Sequence, residues 1–204
     1  MADTPVPLNN VPVAAHPAVS DDGAVAAMAT ALMQSRQTIL PKRLGGPGPS
    51  AAELAQILQA AAHAPDHGQL LPWRFILVPQ AARPPLADVF AQALLERDPA
   101  ATAEQAEQAR EKAYRSPVLL LVVVDAERGD AEIDLAERTV SAGCAVQNML
   151  LMATAQGYGS ALTSGKALKA PSLRALFQLA ASEQALCFIS IGTVLSRKAV
   201  RARP

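Results

Sequence analysis

The run PVLLLVVVDA at residues 117–126 constrains the fold of this chain more than any other stretch. Its centre, residues 118–124, is apolar without a break and rich in β-branched valine. A strand with one wet face alternates apolar and polar residues. An unbroken apolar strand is therefore buried on both faces, in the middle of a sheet that carries a layer on each side. The run is also far shorter than the roughly 18 residues that a membrane-crossing helix needs. A second apolar stretch, ALCFISIGTV at residues 185–194, reads as another buried strand. Shorter strands are expected over residues 74–79 and within the glycine-bounded GYGSALTSG at residues 157–165.

The rest of the pattern is helical. Residues 21–35 open with acidic side chains, which favour a helix N-terminus, and place Val25, Met28, Ala29 and Leu32 at helical spacing. Ser50 with Glu53 is a capping box, followed by Leu54, Ile57, Leu58 and Ala61 on one face; Pro65 stops that helix near Ala64. Residues 81–96 align Leu86, Val89, Phe90 and Leu94, and Thr102 with Gln105 caps a further helix. Residues 134–156 predict a long helix that is apolar around much of its circumference, with Ala142, Ala145, Val146, Met149, Leu150 and Ala153 among its small and apolar residues. Such a helix belongs at the centre of a fold or at a subunit interface. Pro171 opens a short helix before the last strand. Few strands, many helices and no regular β-α-β alternation give an α+β layer fold. Residues 1–20, punctuated by Pro5, Pro7, Pro12 and Pro17, read as an irregular arm ahead of one domain over residues 21–204.

Several function classes fall away on composition and motif. Eighteen basic residues balance eighteen acidic ones, which leaves no electrostatic footprint for nucleic acid. Two cysteines, Cys144 and Cys187, exclude a disulfide framework, and together with the absence of a leader pattern they give a reducing, cytoplasmic setting as the expectation. Neither a dinucleotide-binding glycine fingerprint nor a P-loop is present. His63 and His67 are four residues apart, but Pro65 breaks the helical face between them and the remaining histidine, His16, is in the arm, so no metal site is expected. Ser164 sits in TSG, which is not a hydrolase nucleophile elbow.

Three polar clusters remain: Arg36 with Thr38, residues 63–69, and residues 163–166 with the basic C-terminal tail. A guanidinium beside a hydroxyl suits a phosphate or a polyhydroxyl chain, because arginine offers a fixed fork of donors. Each cluster also has a plain structural reading. Arg36 could complement a helix end, Asp66 could close a turn on its own backbone, and Trp73 could be a core residue.

The string AAAHAPDHGQLLPWRFILV at residues 60–78 resembles the nitroreductase family, in particular its short NAD(P)H nitroreductases with an A-P-D-H-x-x-x-x-P-W core. SRQT at residues 35–38, SAGCAVQNMLLMATAQGYGSALTSG at residues 141–165 and FISIGT at residues 188–193 are similar to further family segments. The resemblance implies an α+β homodimer with a central, mostly antiparallel sheet flanked by helices, a long central helix at the dimer interface, and FMN bound between the subunits. It also implies NADH or NADPH as a transient reductant, a ping-pong hydride transfer through the flavin, and a small-molecule acceptor, nitroaromatic or quinone-like in vitro.

Carried over by position, Arg36, Gln37 and Thr38 would hold the FMN phosphate and ribityl chain, and His63 and His67 would reach the flavin from the partner subunit. Leu162, Thr163 and Ser164 would line the ring-side edge, and residues 152–157 match a region associated with the nicotinamide dinucleotide. Gln37 replaces the second arginine of the family's segment; Arg203, or Arg201, in the basic tail would restore that charge. No acid-base residue is required, since the flavin accepts the hydride. The alternative is a flavin-binding or cofactor-free interaction protein on the same fold.

Overall fold

In the computed structural model, which describes residues 22–197, the apolar run becomes the third strand, β3 (Val118–Asp125). It is hydrogen-bonded on both sides, antiparallel to β2 (Trp73–Leu77) and to β5 (Glu183–Val194). The far side of β5 carries β4 (Gly159–Thr163) and then β1 (Leu44–Gly45), both antiparallel, which completes a five-stranded sheet. Leu120 through Val124 are 0% exposed, as an interior strand covered on both faces requires.

The alternation of β3 divides the core. Leu120, Val122 and Val124 join the cluster under α2 (Ala51–Ala60) and α5 (Leu135–Ala155), whereas Leu119, Leu121 and Val123 join the cluster under α3 (Arg83–Arg97) and α6 (Pro171–Leu176). The helix α4 (Ala103–Glu111) packs on α3, and α1 (Asp22–Ser35) touches α5. Antiparallel strands flanked by helices confirm the α+β reading.

Element ends depart from the sequence reading for local reasons. Strand β2 begins at Trp73 and ends at Leu77, because Pro79 has no N–H for the ladder; Val78 N donates to Leu119 O as the last link. Helix α3 starts at Arg83 after a 3-10 turn over Gln80–Ala82, with Pro84 and Pro85 in its first turn, where no donor is needed. Helix α2 closes at Ala60 and tightens into a 3-10 turn, Ala61–His63, ahead of Pro65. Both predicted capping boxes are present.

The apolar stripe expected on α1 is not fully used within one chain, and α5, whose expected apolar residues are all buried, keeps a further open side. Helix α5 buries Ala142, Ala145, Val146, Met149, Leu150 and Ala153 but leaves Val140 67% exposed, with Gly143 and Gln147 on the same open side. Helix α1 leaves Val25, Met28 and Met33 exposed. No helix among the described residues is long and apolar enough to cross a membrane. The irregular arm expected at residues 1–20 and the basic tail with Arg201 and Arg203 lie outside the described residues.

Candidate functional site

Helix α1 ends at Ser35, and the chain turns to run along the outer side of β4. Thr38 forms a parallel bridge with Ser160, and Ile39 N donates to Ser160 O at 2.9 Å. Two residues further along β4 lie Leu162 and Thr163, and Ser164 follows immediately. The structure thus gathers Arg36, Gln37, Thr38, Leu162, Thr163 and Ser164 at one edge of the sheet.

Cross-strand register fixes where this edge points. Leu162 lies opposite Ile189, on the α5 face, and is 46% exposed; Thr163 lies opposite Phe188, on the α3 face. Arg36 and Gln37 are half-buried, and no side-chain hydrogen bond engages either among the described residues. Beside them Ser160 Oγ is buried without a partner. Gly159 begins β4 because a Cβ there would come within 2.8 Å of Val194 and Leu44 side chains.

His63 and His67 lie elsewhere, in the segment that enters β2 at the opposite edge. Strands β5 and β3 separate β2 from β4, three interstrand spacings or roughly 14 Å. The loop is tightly wound: Gly68, Gln69 and Leu71 all have left-handed φ, of 67°, 52° and 46°. Asp66 secures it by accepting from Leu71 N at 2.6 Å, so the turn reading of this aspartate holds. Non-glycine residues in this region are strained and persist where surrounding contacts over-determine them.

The turn leaves His67 exposed, with Nδ1 2.7 Å from Glu137 Oε1. Glu137 stands in the first turn of α5, its own N–H capped by Asp134 Oδ1 at 2.9 Å. The sequence gives no sign of this pairing, because 70 residues separate its members. Arg138, the next residue, is buried and donates to the carbonyls of Arg128, Asp130 and Ile133 at 2.5–2.8 Å, pinning the loop beside His67 to α5.

At the other end of α5, residues 152–157 lead into β4 through Gly157, whose φ is 84°. Gln156 Nε2 donates to Gln56 Oε1 at 2.8 Å, and Tyr158 Oη donates to Glu53 Oε2 at 3.0 Å. Hydrogen bonds from Ser50, then from Tyr158, hold the Glu53 carboxyl below its ordinary range; the same bond to Glu53 raises the Tyr158 phenol. Trp73 is core, 7% exposed. Burial pushes the Cys187 thiol up to about 12, which makes it inert near neutral pH.

Behind Thr163, on the α3 face, is a cavity of about 640 Å³ whose walls come from the Leu40–Lys42 stretch, α3, α4 and the turn after β4. Sequence reading missed it, since its residues come from five separate segments. No group of three or more metal-ligating side chains occurs among the described residues.

The nitroreductase family pattern matches residues 35–193 of the chain. A Haemophilus influenzae protein named "Putative NAD(P)H nitroreductase" is 32% identical over 156 residues, 76% of this chain and 84% of that protein. Among solved structures, a nitroreductase-like family protein from Bacillus cereus superposes with a TM-score of 0.74 at 17% identity, covering 93% of this chain and 94% of that one. A Desulfovibrio desulfuricans protein, described as a "putative nitroreductase" in complex with FMN, superposes with a TM-score of 0.64 at 25% identity, covering 86% and 91% of the two chains.

Proposed function

The chain belongs to the nitroreductase family, and from that premise we propose that it is an FMN-dependent NAD(P)H oxidoreductase whose site is completed by a second copy of the chain. The observation that carries this reading is the division of the predicted binding residues between opposite edges of one sheet. Arg36, Gln37, Thr38, Leu162, Thr163 and Ser164 supply one half. His63 and His67, exposed at the other edge, supply the second half to a partner's site. The exposed sides of α5 and α1 provide an apolar surface for that partner.

The residues present fit a flavin mononucleotide. Arg36 offers the phosphate a guanidinium that is unengaged among the described residues, and Thr38 offers a hydroxyl for the ribityl chain. Leu162 offers an exposed apolar face for the ring, and Ser164, exposed, follows the strand end. Gln37 brings no charge, and Arg203 is the candidate to supply it. Glu137 holds one ring nitrogen of His67, which leaves the other to face the ligand. Bound FMN would supply a two-electron relay from NADH or NADPH to a nitroaromatic or quinone-like acceptor in a ping-pong sequence.

The test is the visible spectrum of protein supplemented with FMN, desalted, and then mixed anaerobically with NADH or NADPH in separate cuvettes. A retained flavin spectrum that bleaches is the expected result. Retention without bleaching would replace this reading with a flavin-binding role, and no retention would overturn it.

A further inference from the structure

The cavity behind Thr163 has an uneven chemistry. Lys42, Arg97, Lys112, Arg115 and Lys166 line it, and no aspartate or glutamate does. These are five of the chain's 18 basic residues, gathered at one opening in a protein whose net charge is zero. Among the described residues, Arg115 alone of the five has an ion-pair partner, Glu111 at a distant 3.9 Å. The floor is the opposite in character: Leu119 and Phe188 are buried, and Phe90 meets Phe188 edge-on with ring centroids 5.6 Å apart.

Long basic side chains lay their aliphatic stems along an apolar wall and keep their charged heads at the rim. Clustered like charges over a low-dielectric floor repel one another, and they focus the field on an incoming anion. A pocket with an apolar floor and an acid-free cationic mouth is complementary to a molecule with the same polarity reversed. Its volume accommodates a body of one or two rings. The face is also decisive: Thr163 is oriented toward this cavity, whereas the exposed side chain of Leu162 is on the α5 face.

We propose that this cavity binds a small aromatic molecule with one carboxylate or sulfonate head. The proposal stands on the cavity alone, independently of the oxidoreductase reading above. The ring lies against Phe90, Phe188 and Leu119, and the anionic head meets the cations at the mouth.

The experiment is titration calorimetry on the FMN-supplemented protein with 4-nitrobenzoate and, as the uncharged comparison, 4-nitrobenzyl alcohol. The nitrobenzoate should bind about tenfold or more tightly than the alcohol in low salt, and that preference should shrink as exposed charges are screened at about 500 mM salt. The double variant Arg97→Glu with Lys112→Glu changes two exposed side chains. It should remove the preference while leaving flavin content, unfolding temperature and alcohol binding unchanged. Equal binding of the two compounds, or an unaltered preference in the variant, would overturn the proposal. So would a loss of flavin from the variant, which would assign the cations to the cofactor. Wild-type protein that retains no flavin sinks the oxidoreductase reading, yet calorimetry on it still reads the cavity.

Discussion

Arg83 is 0% exposed and forms no ion pair among the described residues. Its guanidinium donates to four backbone carbonyls: Val78 at 2.7 Å, Ala113 at 2.5 Å, and Ser116 and Pro117 at 3.3 Å. Desolvation lowers its pKa to about 10, which still leaves it charged at neutral pH. One residue thereby ties the end of β2, the start of α3 and the approach to β3. Arg83→Met keeps the volume and removes every donor, leaving buried carbonyls unpaired; we expect a loss of about 3 kcal/mol in urea unfolding. A loss below about 1 kcal/mol would mean that water replaces the guanidinium. Hydrophobicity patterns read a charged residue in this position as solvent-facing. Nothing local to Arg83 in the sequence marks it as buried, since three of its partners are 30–34 residues away.

Elements whose signals are local were legible in the sequence, and those whose signals are distant were not. Ser50 shows the first case: its Oγ accepts from Glu53 N at 3.3 Å, and Glu53 Oε2 accepts from Ser50 N at 2.8 Å, as the four-residue motif predicts. Ser50→Ala should cost about 1 kcal/mol, a fall of roughly 2–4 °C in unfolding temperature for a domain of this size, with flavin content unchanged. Differential scanning calorimetry reads it; an unchanged temperature would show that Tyr158 alone suffices to hold Glu53. Strand β3 was equally legible, because burial on both faces leaves its mark residue by residue. Strand β1 shows the second case, since its two residues exist as a strand only through β5, about 150 positions away. The start of β5 is similar: Glu183 has no apolar alternation to announce it, but Arg74 donates to it twice across the sheet, at 2.5 and 2.8 Å. Those bonds, Arg74 foremost, hold the Glu183 carboxyl below its ordinary value of 4.5. A carboxylate with a depressed folded pKa contributes stability above its unfolded pKa and loses it as pH falls through the folded one. Stability measured by urea should therefore decline below about pH 4.5, and Glu183→Gln should be less stable at neutral pH with a flatter acid limb. An identical acid limb in the variant would assign the decline to other carboxylates.

At the scale of the whole molecule, the division of the candidate site makes a prediction that no single chain can satisfy. Residue types singled out two polar clusters, Arg36 with Thr38 and residues 63–69, and the family resemblance made them halves of one site, but only the sheet order reveals that β3 and β5 stand between them. If one site draws Arg36 from one copy and His67 from the other, a hybrid of an Arg36→Ala chain with a His67→Ala chain holds one site with both residues native and one with neither. The two variants alone hold no native site. Random association after joint unfolding and refolding makes half the dimers hybrids, so about a quarter of the wild-type number of sites should return. The measurement is retained flavin per chain, with NAD(P)H-dependent turnover as a second readout, compared with each variant refolded alone. Recovery to about that fraction would establish that the opposite edges of two sheets meet in one site. If the mixture gives no more than the average of the separate variants, while each variant is clearly impaired, the two groups serve the same chain. The dimer would then be an accident of the exposed sides of α1 and α5 and not a condition of function.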